Sequence, residues 1–122
     1  MRLYITGFSG FLGTNLISYT KEKFSNIEIV RIRNSNGFSN KFCYSQDKSA
    51  LIHLAGKAHD QIKSPSFEEY KNVNTDLTRD MFDVFLYSDV NVFIALSSVK
   101  AVADTVSEEL TESHPINPKK IG

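Results

Sequence analysis

The chain is poor in cysteine, carries no net charge and contains no long uninterrupted hydrophobic run. Cys43 is the only cysteine among the 122 residues, which excludes an internal disulfide framework and a cysteine-based metal cluster. Basic and acidic side chains number 14 each, so no net field steers the chain toward nucleic acid or an anionic membrane. Gly7, Ser9 and Gly10 interrupt the apolar amino-terminal stretch, which also lacks a basic leader. We therefore expect a cytoplasmic protein with no signal peptide, membrane span, bound metal or nucleic-acid partner.

The composition and the order of the apolar segments indicate one α/β domain. Apolar residues make up 41% and charged residues 23%, as in ordinary globular domains. The periodicity predicts strands over residues 2–6, 27–32, 51–55 and 90–96, a first helix over about 11–23, and a long helix after Pro65. Strands that alternate with helices predict a Rossmann-like, mostly parallel sheet of about four or five strands with helices on both faces. The segment 34–50 is long enough for one crossover and too short for two, although 41–45 has the character of a strand stub.

The long helix has a signature at its start and one polar residue within its apolar face. Residues 66–69, Ser-Phe-Glu-Glu, form a capping box, which satisfies free amides at a helix amino terminus. Leu77, Met81 and Val84 then follow along one face, with Asn74 in the same row. Asn74 is therefore predicted to bond the neighbouring loops, to contact the nicotinamide end of a cofactor, or to do both.

Three glycines at intervals of three residues follow the first strand: Gly7, Gly10 and Gly13. In a strand–turn–helix that binds a dinucleotide, the first permits the tight turn and the second lets a pyrophosphate approach the backbone. The third lets the helix pack on the sheet. We predict that the turn and the first helical residues bind a dinucleotide through Gly7, Ser9, Gly10, Phe11, Leu12 and Gly13. The alternative is a turn with a purely structural role.

The end of the second strand bears on the choice of dinucleotide. An acidic side chain there hydrogen-bonds the ribose of NAD, whereas an arginine suits the 2′-phosphate of NADP. Arg33 stands at this position, so the predicted cofactor is NAD or NADP, with a slight preference for NADP. An arginine that is simply solvated at a strand end is the competing interpretation.

Further candidate residues follow the third and the last strands. The carboxyl ends of strands in an open α/β sheet face the ligand crevice, so the residues after the third strand are predicted to line the cofactor. They are Leu54, Ala55, Gly56 and Lys57. Ser97 and Ser98 follow the last strand, where a serine is able to polarise a sugar hydroxyl or its oxidised carbonyl.

The three histidines show no metal-ligand spacing. His53 lies in the third strand and is predicted to be an ordinary buried side chain. His59 and Asp60 are predicted to form a solvated pair in the loop that follows.

Together these segments resemble the amino-terminal half of the extended short-chain dehydrogenase/reductases. The likeness is greatest to the NAD-dependent epimerase/dehydratase branch, which acts on nucleotide sugars for surface-polysaccharide synthesis. It covers nearly the whole chain and rests on residues 4–13, 52–59, 73–74, 77–78 and 93–102. The closing Thr111-Glu112, with Pro115 and Pro118, resembles the lid that precedes the catalytic tyrosine in that branch.

The resemblance implies roles for individual residues. It implies that the glycine turn and Arg33 hold NAD(P), that residues 54–56 flank its ribose and nicotinamide, and that Ser98 is the catalytic serine. The predicted cofactor contacts also include Asn74, Lys57 and Ser97. It also implies reversible hydride transfer at a sugar carbon and a nucleotide-sugar substrate, within a single NAD(P)-binding domain 1–122 that ends in a lid-like tail 104–122.

The chain departs from the family where the proton-transfer pair should stand. The family's Tyr-x-x-x-Lys pair is expected a few residues beyond Pro118, and the sequence ends at Gly122. Two such strings, at 19–23 and 44–48, lie in the first helix and before the third strand, so neither faces Ser98. We expect this chain to bind dinucleotide weakly without turnover, and its last strand, an apolar edge, to promote a homodimer or segment-swapped oligomer. A non-catalytic nucleotide-binding or interaction module and a structural domain without a ligand are the alternatives.

Overall fold

The computed structural model describes residues 1–33, 48–57, 68, 71–97, 102 and 109–116. Within these residues lie the strands β1 (Arg2–Thr6), β2 (Glu28–Arg31), β3 (Ser49–His53) and β4 (Val92–Ala95). The helices are α1 (Phe11–Lys23), a π-helical segment (Lys71–Asp76) and α2 (Leu77–Leu86), which continues directly from it. In the described part of the tail, the His114 amide bonds the Thr111 carbonyl at 3.1 Å to close a turn.

The four strands form one parallel sheet in the order β2-β1-β3-β4. The chain moves from β1 to β2 on one side and then crosses to β3 on the other side of β1. The strand order therefore reverses between β1 and β3, which is where open α/β sheets form their ligand crevice. This topology confirms the predicted Rossmann-like, mostly parallel fold, while most of the segment 34–50, predicted to supply one crossover, lies outside the described residues.

Helices cover both faces of the sheet, as the sequence predicts. Alternate residues of a strand point to opposite faces, so β1 contributes to two separate apolar clusters. Leu3 and Ile5 pack with Ile17 of α1, whereas Tyr4 packs with Leu51 and Met81 of α2. Met81 is fully buried, which confirms the apolar face predicted for the long helix.

Strand ends differ by one or two residues from those predicted, and hydrogen bonding explains the difference at β3. Ser49 pairs with Arg2, so β3 begins two residues before the predicted start. It ends at His53 because the Leu54 amide bonds the Thr6 hydroxyl, 3.2 Å away, instead of continuing the ladder.

The last strand is exposed instead of buried. β4 pairs with β3 alone among the described strands, and Val92 and Ile94 keep 47% and 42% of their surface exposed. The apolar composition of residues 90–96 is typical of a buried strand, and the prediction of burial that it implies is wrong. Among the described strands, β4 does form the apolar edge that the sequence predicts.

Several sequence predictions lie outside the described residues. They concern Ser66 and Glu69 of the capping box, the strand stub at 41–45, the pair His59 and Asp60, and Ser98. Within the described residues, no helix is both long enough and apolar enough to cross a membrane. The same residues contain no group of three or more histidine, cysteine or acidic side chains placed to hold a metal ion.

Candidate functional site

The turn after β1 is closed by Gly7, which has φ +63°. This left-handed conformation is strained for residues with a Cβ atom. A Cβ on Gly7 would lie 2.5 Å from the Leu54 carbonyl carbon and 2.6 Å from the Ala55 nitrogen. Glycine is therefore required both by the backbone conformation and by the close approach of the loop after β3.

Gly13 is required by the packing of α1 against the same turn. A Cβ on Gly13 would overlap the Gly7 carbonyl oxygen and lie 2.5 Å from the Phe8 Cα atom. Both obstructing groups belong to the backbone, so neither can rotate away. The spacing of the two glycines thus fixes where the helix begins relative to the sheet.

Gly10 differs from the other two glycines because the described residues leave room for a side chain there. Its φ of −78° and ψ of 174° are extended values that any residue adopts. Apart from Gly10 and its chain neighbours, the only heavy atom of the described residues within 4 Å of a Cβ built on Gly10 is the Gly7 carbonyl oxygen, at the ordinary contact distance of 3.4 Å. The sequence keeps glycine at a position that the described residues do not crowd.

Gly10 is also the N-cap of α1, which leaves the amino end of this helix open. No side chain among the described residues caps the helix, and none in its first turn is acidic. The first amides of an α-helix have no acceptor within the helix and carry partial positive charge. Ser9 and Gly10 are exposed, as are the side chains of Phe11 at 82% and Leu12 at 53%. As far as the described residues go, this helix end is accessible to an anion, with two apolar side chains beside it.

A chain of hydrogen bonds joins the carboxyl ends of β1 and β3 to α2. The Thr6 hydroxyl oxygen accepts the amides of Leu54 and Ala55, each 3.2 Å away. Its own proton is thus available to His53 Nδ1, at 2.7 Å. His53 Nε2 then donates to the Thr78 hydroxyl at 3.0 Å. These bonds assign neutral His53 the tautomer with its proton on Nε2.

The surroundings of His53 favour its neutral form. The side chain is buried and its ring stacks on Phe93, with centroids 6.3 Å apart. Burial lowers the pKa of the His53 imidazole below its usual value, because the charged form would lose solvation. The Thr78 hydroxyl in turn donates a hydrogen bond to the backbone carbonyl of Asn74 at 2.9 Å, which completes the chain of donors. The structure agrees with the interpretation of His53 as a buried structural histidine.

Asn74 holds the loop that follows β3. Its Oδ1 accepts the Lys57 amide at 2.7 Å, and its Nδ2 donates to the Lys57 carbonyl at 3.0 Å. A Cβ on Gly56 would lie 3.5 Å from the same Oδ1 atom. Both polar atoms of the Asn74 side-chain amide thus hydrogen-bond the backbone of Lys57. This geometry matches the predicted bond to a neighbouring loop.

Arg33 lies exposed beyond the end of β2, beside the glycine turn. Its guanidinium carbon is 5.5 Å from the centroid of the Phe8 ring, and that of Arg31 is 5.7 Å from the same centroid. Both distances are within the range of cation–π interactions. The arginine predicted from its position at the strand end is therefore in contact with the turn that the glycines form.

The fold brings most of the predicted site residues to one end of the sheet. The glycine turn, the loop 54–57 and Arg33 all lie at the carboxyl ends of β1, β3 and β2. Ser97 is exposed and follows β4 at the same end of the sheet. Ser98 lies outside the described residues.

Sequence reasoning missed Thr6, Thr78, Phe8 and Arg31. The two threonines form the hydrogen bonds to His53, and no spacing rule links residues 6, 53 and 78. Phe8 occupies a variable position of the glycine motif. The alternation of Arg31 with Arg33 along a strand is a usable signal, because such residues share a face.

A model of the NAD dependent epimerase/dehydratase family matches residues 3–121 of the chain. The chain belongs to this family. The match includes every candidate residue of the site, from the glycine turn to Ser97 and Ser98. No curated protein sequence matches the chain significantly.

Solved structures with the fold of this family superpose on the chain. MoeE5 in complex with UDP-glucuronic acid and NAD does so with a TM-score of 0.77 at 19% identity, over 97% of this chain and 43% of that protein. RMD from Pseudomonas aeruginosa with NADPH gives 0.74 at 20% identity, over 97% and 42%. UDP-glucose 4-epimerase from Thermus thermophilus with NAD gives 0.76 at 18%, over 98% and 45%. At these identities the likeness establishes the fold, and the chain spans less than half the length of each protein.

Proposed function

We propose that the chain binds NAD or NADP at the carboxyl ends of β1 and β3. We further propose that it forms the cofactor-binding part of a nucleotide-sugar epimerase or dehydratase. The observation that carries the first proposal is the contrast among the three glycines. Gly7 and Gly13 are required by the packing of the protein itself, whereas the space beside Gly10 is left to a ligand.

The residues at this end of the sheet fit a dinucleotide. The open amino end of α1 supplies amides and partial positive charge to a pyrophosphate, and the absence of a Cβ on Gly10 allows it to approach. Leu54 and Ala55 border the turn directly, so they would flank the part of the dinucleotide that continues past β3. Arg33 would face the adenosine ribose at the end of β2.

The proposed chemistry follows from family membership and from the solved structures. A bound nicotinamide supplies a reversible hydride acceptor. MoeE5 was solved with UDP-glucuronic acid, and the Thermus protein is a UDP-glucose 4-epimerase, which supports a nucleotide sugar as the substrate. We assign Ser98 as the catalytic serine and Ser97 as a cofactor contact on the resemblance described above. The segment 104–122 is proposed to act as a lid over this end of the sheet.

Equilibrium dialysis of the 122-residue chain against NAD and NADP tests the proposed cofactor. We expect saturable binding of at least one of them, with competition by AMP, which carries the adenosine half alone. Absence of saturable binding by the folded chain would reject the dinucleotide site and leave a domain with a structural role.

We also propose that the chain self-associates through β4. Val92 and Ile94 are among the exposed apolar side chains of this strand, and its backbone has a partner on one side among the described strands. An exposed apolar edge strand favours pairing with another chain. A homodimer or a segment-swapped oligomer would cover this edge.

A further inference from the structure

Two cationic side chains share one aromatic ring beside the glycine turn. The guanidinium carbons of Arg31 and Arg33 are 5.7 and 5.5 Å from the centroid of Phe8. Electrostatic repulsion between two guanidinium groups opposes their gathering at one place. Their common contact with a ring is therefore an arrangement that the surrounding structure must maintain.

The strand geometry brings the two arginines to the side of the sheet where Phe8 lies. Residues two apart along an extended chain share a face, so Arg31 and Arg33 project together. Ile32, between them, is buried in the cluster on the α2 face. Phe8 packs with the opposite cluster, against the α1 face.

The Phe8 ring has a fixed position because the hydrophobic core anchors it. The ring is half-buried and packs against the cluster that contains Leu3, Ile5 and Ile17. Arginine side chains lose considerable rotamer freedom when they become ordered. A cation–π contact with an anchored ring supplies part of that ordering before any ligand binds.

We infer that Phe8 is a positioning residue that holds Arg31 and Arg33 for the 2′-phosphate of NADP, so that the chain selects NADP over NAD. This inference rests on the proposed dinucleotide site. A phosphate monoester carries close to two negative charges and accepts hydrogen bonds from more than one guanidinium. Such a group relieves the repulsion between the two arginines, whereas the neutral ribose hydroxyl of NAD does not.

Binding of NADP and NAD to four chains tests this inference by isothermal titration calorimetry. The chains are the wild type, Phe8→Leu, Phe8→Tyr and the control Lys48→Gln. Leucine keeps an apolar side chain against the core and removes the ring, whereas tyrosine keeps the ring. Lys48 is exposed and precedes β3 at the opposite end of the sheet, so its variant removes one positive charge far from the turn.

We expect the wild type to prefer NADP. Loss of two cation–π contacts in Phe8→Leu should weaken NADP binding by about five- to tenfold, leave NAD binding unchanged and so reduce the preference. Phe8→Tyr, which keeps an aromatic ring, and Lys48→Gln should both retain the wild-type preference for NADP. Thermal unfolding of each variant verifies that the chain is folded.

Three results would overturn the inference. One is a wild type that binds NAD as tightly as NADP. Another is an equal loss of affinity for NAD and for NADP in Phe8→Leu, since the ring would then only shape the turn. The third is a Phe8→Tyr chain as defective as Phe8→Leu. A wild type that binds neither dinucleotide would instead reject the proposed function itself.

Discussion

Replacing Gly10 with alanine should separate cofactor binding from folding. Apart from atoms of its chain neighbours, the added methyl group meets only the Gly7 carbonyl oxygen within 4 Å among the described residues, at 3.4 Å, and the backbone there is extended. Alanine is a poorer N-cap than glycine, which lowers stability, while the reduced entropy of the unfolded chain raises it by about 0.4–1 kcal/mol. These terms oppose each other, so the free energy of unfolding should change by less than about 0.5 kcal/mol.

The same methyl group should obstruct a pyrophosphate that binds against the Gly10 backbone. We expect the affinity for NAD and for NADP to fall by about tenfold or more, which corresponds to a loss of at least about 1.4 kcal/mol of binding free energy. The loss should be equal for the two dinucleotides, because they have the same pyrophosphate. Calorimetric titration and thermal unfolding of one protein preparation measure both effects.

Gly13→Ala is the matched control, since it adds the same methyl group three residues away. Here the methyl group would overlap the Gly7 carbonyl oxygen and lie 2.5 Å from the Phe8 Cα atom. Overpacking against immobile backbone costs about 3 kcal/mol, which lowers the melting temperature by about 10 °C or more in a domain of this size. A Gly10→Ala chain that binds dinucleotide as tightly as the wild type would refute the reasoning about the site. A Gly13→Ala chain of undiminished stability would refute the reasoning about packing.

Three further predictions concern His53, Asn74 and β4. Burial lowers the pKa of His53 in the folded chain, so the neutral side chain contributes its full stability above the usual pKa of 6.5. That contribution is lost as the pH falls below 6.5, because the unfolded chain then binds a proton that the folded chain resists. The free energy of unfolding should therefore drop more steeply from pH 7.5 to 5.5, by up to about 1.4 kcal/mol per unit, than in His53→Gln, and equal slopes would contradict this. Asn74→Ala should lower the free energy of unfolding by about 1–3 kcal/mol, speed hydrogen exchange of the Lys57 amide and weaken dinucleotide binding. Asn91→Ala, which removes the comparable bond to the Ser49 amide at the start of β3, should lower the free energy of unfolding without changing that affinity. Sedimentation should show association of the wild type that Ile94→Lys reduces, because a charge on an exposed edge strand opposes pairing. A monomeric wild type would exclude the proposed role of β4.

The fold and part of the site follow from local patterns in the sequence. Apolar patterns located all four described strands and α1, because strands and helices pack on one another through apolar side chains. The burial is uneven, since α1 buries Ile17 while Leu12 and Tyr19 stay exposed. Gly7 and Gly13 were identified from their spacing alone, since a left-handed turn followed by a closely packed helix requires glycine at those places. The boundaries were less well predicted, as the early end of β3 shows. Its last amides leave the ladder for the Thr6 hydroxyl, a partner 48 residues away in the case of Leu54.

Contacts between distant segments could not be read from the sequence. The bonds from Thr6 through His53 to Thr78 depend on β1, β3 and α2 being brought together, and no local rule encodes that distance. The same is true of Asn74, whose amide was predicted to need partners but whose partner, the backbone of Lys57, was decided by packing.

The sequence by itself determined the kind of protein this is: an α/β domain with a glycine turn suited to a dinucleotide, and an arginine at the end of the second strand. These features are local, because backbone conformation and burial pattern depend on neighbouring residues. Only the tertiary structure decided that the described part of the chain leaves space beside Gly10 while it encloses Gly7 and Gly13. It also decided that Phe8 meets both arginines, since a contact between a turn and a separate strand exists only after the sheet has assembled.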